Sequence, residues 1–298
     1  MNVAALWIAA LSAALFAVST SLQHHANAAV SDELGAAGAL RVLLRRPRWV
    51  LGQAMALAAF TLHSWALHLG VLVLVQPVVV SGIVLAVPVR AALSRQRPSA
   101  SEVATVSLTA AGLALFLVAA DPRPSQDAAP TAAVVMTLIG AAVAVAAAVW
   151  AGRRHGVRRA TGFGFAAGVL FGVTGGLVKL AAADGARGTD FTGHVLSLIT
   201  AWPAWAVVVV GLSGVALNQR AYRAGPLSAS MPLLNMVDVL VAVTFGVLVF
   251  GEVPAHSPVA LVAQAAAIAL MTIGLRRLAR DETAEQAVEQ AAARVSTR

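Results

Sequence analysis

The chain has no cysteine, a single tyrosine and very little charge: Asp, Glu, Lys and Arg together make up 11% of its 298 residues. The absence of cysteine excludes disulfides and thiolate metal centres, and by itself leaves the compartment open. The shortage of charge excludes an ordinary solvated surface. At 59% hydrophobic and a mean hydropathy of +0.81, the composition is that of an integral membrane protein with no room for a separate enzymatic domain. The basic residues are nearly all arginines in short clusters between apolar runs, without interleaved aromatics. The net charge of +8 therefore reads as a topology signal and not as a nucleic-acid footprint. A Gly-x4-Gly-Lys-[Ser/Thr] loop is also missing, so ATP does not drive the chain directly. Neither an enzymatic activity nor a cofactor is expected.

What is present is a series of apolar runs of about 20 residues, the length that crosses a bilayer. They fall at 3–24, 49–70, 71–93, 101–120, 130–151, 161–182, 199–219, 226–250 and 257–276. These predict an all-α polytopic membrane protein with nine transmembrane helices. Residues 31–48 mix Leu34, Leu40, Leu43 and Leu44 with Asp32, Glu33, Arg41, Arg45 and Arg46, which suits an amphipathic interfacial helix; a tenth span there is the rival. Ala26-Asn27-Ala28 imitates a signal-peptidase site, but no basic segment precedes the apolar run, so the run is expected to be retained. Arg41, Arg45, Arg46, Arg48, Arg90, Arg95, Arg97, Arg153, Arg154, Arg158, Arg159, Arg220, Arg223, Arg276, Arg277 and Arg280 follow odd-numbered runs, whereas Arg123 and Arg187 follow even ones. The positive-inside rule then sets the N-terminus outside and the C-terminus in the cytoplasm of a multi-pass cell-membrane protein. The tail over 279–298 reads as a solvated cytoplasmic helix.

Gly164, Gly168, Gly172 and Gly176 recur every fourth residue and form one stripe of a helix. In water each would cost about 1 kcal/mol relative to alanine, but in a bilayer small residues are the helix-packing surface. Moving back 155 positions finds Ala9, Ala13, Ala17 and Ser21 in their places, and the same offset sets Leu62 on Leu217, Gly70 on Gly225, Pro77 on Pro232 and Leu115 on Leu270. The chain thus reads as a first repeat over 1–123, a connecting helix over 130–151 and a second repeat over 156–278. An odd number of crossings separates the copies, so they are inverted, as in secondary transporters with a site near the midplane.

Val75-Gln76-Pro77-Val78-Val79-Val80-Ser81-Gly82 and Ser230-Met231-Pro232-Leu233-Leu234-Asn235, together with Phe250-Gly251-Glu252, resemble the proline-entered helices and the Gly-Glu helix ending of the drug/metabolite transporter superfamily. Gly175-Gly176-Leu177-Val178-Lys179 with Leu217-Asn218-Gln219-Arg220-Ala221 is similar to the corresponding helices of its NIPA-type magnesium transporter branch. The first repeat has Gln96-Arg97 where Gly-Glu would stand. The resemblance implies a ten-span or related inverted-repeat fold and transport without an enzymatic step.

Among candidate site residues Asp238 is the sharpest, an acid halfway along an apolar run, where a charge costs about 2.5–3.5 kcal/mol on the mildest scale. It is a candidate coupling or binding carboxylate, with Asn235 nearly one turn earlier; the bland alternative is a structural aspartate. Lys179 could snorkel to the interface, pair with Asp238 or meet an anionic substrate. Pro77 and Pro232 break helices and free carbonyls beside Gln76 and Met231. Asn218, Gln219 and His63, the last being the repeat partner of Asn218, suit a polar vestibule. His24, His25 and His68 read as interface histidines, since their spacings put no pair on one helix face. Gly211-Leu212-Ser213-Gly214 matches the intramembrane serine protease motif by chance, because Ser213 and the histidines at 63 and 68 lie at different depths.

The expectation is a secondary transporter of a small drug or metabolite in the lipid bilayer, with a homodimer as a candidate assembly and no nucleic-acid partner. Magnesium or another divalent cation, held by Asp238, is the second reading, since Mg²⁺ keeps several waters and takes only one or two carboxylates. A non-transporting membrane scaffold is the rival of another class.

Overall fold

The computed structural model describes residues 3–27, 42, 44–82, 84–85, 99–122, 130–153, 157–185, 193, 200–224 and 227–296. Their ordered elements are helices: α1 (Val3–Asn27), α2 (Pro47–Leu69), α3 (Leu72–Val80), α4 (Ala100–Ala120), α5 (Thr131–Ala151), α6 (Val157–Gly185), α7 (Trp202–Ala224), α8 (Leu227–Phe250) and α9 (Pro258–Ser296). Seven of them are long and apolar enough to cross a membrane, and the apolar part of α1, Val3–Ser19, is somewhat shorter. The chain is an all-helical protein of polytopic membrane type.

The run over 71–93 is interrupted in the structure: α3 ends at Val80, a turn follows at Ser81, helix resumes at residues 82, 84 and 85, and residues 86–98 lie outside the described set. The tail is helical, and continuous with the last apolar run: α9 runs unbroken for 39 residues from Pro258 through Asp281 to Ser296. The interfacial helix expected over 31–48 lies outside the described residues except at its end, where Pro47 occupies the first position of α2, the place in a helix where its missing N–H costs nothing. One local signal in the sequence is a capping box at the start of α4. The Ser99 hydroxyl accepts from the Glu102 N–H at 3.1 Å, and the Ser99 N–H donates to Glu102 Oε2 at 2.7 Å, which satisfies two otherwise orphaned donors.

Large apolar side chains point outward. Trp7, Val118, Met136, Trp150 and Val259 are all well exposed, as expected where the surrounding solvent is lipid. The inward face of α1 carries small residues. On α1, Ala5, Ala9, Ala13 and Ala17 are buried, and two serines tie the helix to the antiparallel α2: Ser12 Oγ donates to the Ala59 carbonyl at 2.7 Å and Ser19 Oγ to the Gly52 carbonyl at 2.8 Å.

The glycine stripe of α6 faces α8, and the two helices run in the same direction. A methyl group at Gly164 would lie 2.9 Å from the Ser230 carbonyl oxygen, one at Gly168 2.5 Å from that of Leu234, and one at Gly172 2.6 Å from that of Asp238. At Gly176 it would meet the Phe245 ring at 2.5 Å. Each is closer than a side chain tolerates, so the backbones touch because no Cβ stands between them. In the first half α1 meets the chain just past α3, where Ala13 lies against Gly82 and a methyl at Gly82 would come 2.9 Å from the Ala13 carbonyl oxygen. Between the halves, α4 and α9 cross antiparallel, with Gly112 against the Ala267 carbonyl and Thr109 against Gly274, while Gln264 Nε2 donates to the Ala119 carbonyl at 3.1 Å. The short α3 packs on α8, and α2 on α6.

This packing separates two kinds of glycine. Gly172→Leu should destabilise the fold by about 1–3 kcal/mol or more through overpacking, whereas Gly140→Leu, on α5 with open space around it, should leave stability unchanged. Thermal unfolding of the purified chain in detergent measures both, and equal tolerance would mean that the α6–α8 contact is not close.

Candidate functional site

Three helices bring polar groups together inside the bundle, and a fourth seats them. Gln76 comes from α3, immediately before Pro77, and is 4% exposed. Its Nε2 donates to Asp238 Oδ1 of α8 at 2.8 Å, and Asp238 itself is 6% exposed. The amide lies on α6 at Gly175, where a methyl group would come within 2.7 Å of Gln76 Oε1. His63 of α2, 8% exposed, stands beside the same amide. His63 Nε2 and Gln76 Oε1 are both buried without a hydrogen-bond partner. An amide between a carboxylate and an imidazole can thus take up a further donor or acceptor without first breaking a protein contact. Leaving such groups unpaired costs free energy on the order of 1–3 kcal/mol each, a cost that a polar group placed among them would offset.

The α6 glycines explain how the site forms. Gly172 lets the Asp238 carbonyl lie on the helix and Gly175 lets Gln76 do so, so one short segment of α6 seats both members of the pair.

A second polar group lies where α2 gives way to α3. The break falls at Gly70, whose extended backbone (φ −132°, ψ 174°) turns the chain against α1; a methyl there would meet Ala5 at 2.7 Å. Lys179 of α6 forms an ion pair with Glu252 and donates to the Gly70 carbonyl at 3.0 Å. Its ammonium also lies 4.8 Å from the centre of the Phe250 ring, a cation–π distance. Glu252, 1% exposed, accepts at Oε2 from the Val73 N–H at 3.0 Å. Gly251, with φ 62°, makes the turn that folds Glu252 back toward α8, where its N–H meets the Gly246 carbonyl at 3.0 Å.

This corrects the reading of Lys179. It neither snorkels outward nor pairs with Asp238; its partner is Glu252. Sequence reasoning missed Glu252 as a site residue because an acid just past the end of an apolar run is normally solvated. The available signal was that Lys179 is the single lysine of the chain and lies within a span. The other candidates are not gathered here. Asn235 is half-buried on α8, Gln219 is exposed on α7, and Asn218 is half-buried with a buried, unpartnered Oδ1. Ser213 is exposed and donates to the Val209 carbonyl at 2.7 Å, and His68 is exposed. Side chains of His24 and His25 lie outside the described set. Among the described residues, no three His, Cys, Asp or Glu side chains cluster as metal ligands would. An apolar groove of about 420 Å³ between α5, α6 and α8, lined by residues that include Met136, Phe165, Val169 and Leu248, contains neither polar group.

No family model matches the chain, and no solved structure matches it. It is similar to an uncharacterized protein of Corynebacterium glutamicum, 28% identical over 211 residues that make up 70% of this chain and 71% of that protein. The likeness covers most of both chains and brings no named activity with it.

The two partners of the ion pair differ in depth, Lys179 being 18% and Glu252 1% exposed. Lys179→Ala strands the deeper charge and should cost about 3–5 kcal/mol. Glu252→Ala leaves an ammonium that can reach water and should cost less. Denaturant unfolding in detergent of both single variants and the double variant measures the order and the coupling.

Proposed function

We propose that the chain is a secondary transporter of the cytoplasmic membrane, related to the drug/metabolite transporter superfamily, with its N-terminus outside and its C-terminus cytoplasmic. It moves a small solute by alternating access between two inverted four-helix units. The observation that carries this reading is the buried hydrogen bond from Gln76 to Asp238. It joins α3 and α8, the helices with a proline in their interior, one from each half of the chain, at the depth where a transporter built from inverted repeats keeps its substrate.

The inverted arrangement draws support from positions related by 155. A two-fold axis between α4 and α9 exchanges position n with n+155. Gly112 and Ala267 are such a pair, and they touch. The same exchange turns the contact of Thr109 with Gly274 into that of Gln264 with Ala119, and both are present. It likewise relates Ala13 on Gly82 to Gly168 on Val237.

The chemistry of the site favours an uncharged or singly cationic organic solute, or a proton, over a divalent ion. One carboxylate, one amide and one imidazole can bond a polar head group, while bare Mg²⁺ asks for six oxygen ligands and arrives with tightly held water. Asp238 is the coupling or binding carboxylate, Gln76 positions it, and His63 supplies a second polar contact.

Reconstituted in proteoliposomes, Asp238→Asn should lower solute flux by about tenfold or more, the equivalent of one lost interaction of about 1.4 kcal/mol, and should flatten its pH dependence. Unchanged flux and pH dependence would remove Asp238 from the mechanism. Competition by Mg²⁺ for the parental flux would instead favour the divalent-cation reading. A cysteine at Asn235 should react with a water-soluble maleimide in intact membranes; a silent label there would favour a scaffold without a wet cavity.

A further inference from the structure

The ion pair of Lys179 and Glu252 does more than neutralise two charges, because both of its members bond to backbone in the other half of the chain. Lys179 and Glu252 belong to the second half. Their partners, the Gly70 carbonyl and the Val73 N–H, belong to the junction of α2 and α3 in the first. These backbone groups are available only because the helix is broken there. In α3 the N–H groups of Leu74 and Val75 already reach the Val71 carbonyl, and Val73 is the early donor that the helix leaves over. A carboxylate on that donor also meets the positive end of the helix dipole. Gly70 offers its carbonyl from the extended residue between the two helices.

The location follows from helix length. Lys179 lies 20 residues along α6 from Arg159, about 30 Å at 1.5 Å per residue, so the ion pair sits at the end of the bundle opposite the arginine clusters. At the arginine-rich end the sequence cannot repeat it. The positions 155 residues before Lys179 and Glu252 are His24 and Arg97, and neither offers a carboxylate. The Lys179–Glu252 clasp therefore has no counterpart of the same chemistry at the positions 155 residues earlier.

We propose that Lys179 and Glu252 form the latch of a gate at the end away from the arginine clusters, closed by their bonds to Gly70 and Val73 and opened when those two bonds are released together. This rests on the transport reading and adds to it which end is shut in this conformation and which contacts shut it. Its opening element is the α2–α3 break. Because each latch residue holds a backbone group of fixed polarity, the latch has a direction. An ammonium must face the carbonyl and a carboxylate the N–H.

The chain has no cysteine, so paired spin labels at His68 and Ala183, both exposed and one on each side of the latch, can be placed without background. Pulsed electron paramagnetic resonance distances on the full chain in nanodiscs then read the gate directly. Glu252→Gln should produce a longer-distance population absent from the parent. Val73→Pro should do the same while keeping the ion pair, since it removes the N–H that Glu252 holds and puts a compact apolar ring in the first turn of α3, where proline is tolerated; it also serves if Glu252→Gln does not fold. The exchange Lys179→Glu with Glu252→Lys restores an ion pair but sets each charge against a backbone group of the wrong polarity, so it should stay open like the single variants. Distances in Val73→Pro that superimpose on the parent, or a charge exchange that restores the short population, would overturn the latch. Longer distances in a chain whose parent carries no flux would keep the latch and remove the transport reading instead.

Discussion

The buried pair of Gln76 and Asp238 depends on how closely α6 and α8 approach. In lipid there is no hydrophobic drive to hold two apolar helices together, so contact must come from van der Waals packing and a few hydrogen bonds. Gly164, Gly168 and Gly172 let the α8 backbone lie directly on α6, its carbonyls falling where methyl groups would otherwise be. That contact fixes the depth and rotation of Asp238, whose own carbonyl is one of those touching α6. One residue-length of slack there would turn the carboxylate away from Gln76.

The two polar groups that bridge the halves are built on different physics. At the Asp238 site a neutral amide meets a carboxyl group, and unpaired atoms remain on His63 and Gln76; such an arrangement is poised to exchange partners. At the clasp each charge has both an opposite charge and a backbone bond of matching polarity, with Phe250 beside the ammonium. A buried ion pair so fully partnered is strong against loss of one member and weak as a source of net stability. Its value to the fold is therefore specificity of arrangement more than free energy.

Proline and glycine divide the work of interrupting helices. Pro77 and Pro232 stand inside α3 and α8 and leave carbonyls without their usual donor. Gly70 separates α2 from α3 and presents one carbonyl to Lys179, while Gly251, in the left-handed region, returns Glu252 to the bundle. Non-helical backbone at membrane depth survives only where protein covers it, and here the covering groups are charged side chains from the opposite half.

Much of this was legible in the residues themselves. The apolar run lengths determined helices and most of their bounds, because a bilayer leaves the backbone no other way to satisfy its hydrogen bonds over about 20 residues. The four-residue spacing of glycine determined a packing face, and the isolation of Asp238 in an apolar run marked it as interior. Sequence left the partner of each polar group undecided. Lys179 could have reached the interface, Asp238 or a substrate, and only the fold brought Glu252, 73 positions away, to its ammonium. Gln76 and Asp238 are 162 positions apart, and His63 joined them where Asn218, 155 positions further along, did not. The reason is physical: helix formation and burial depend on local periodicity, whereas polar pairing depends on rotation and depth between helices, which side-chain volume at every contact sets together.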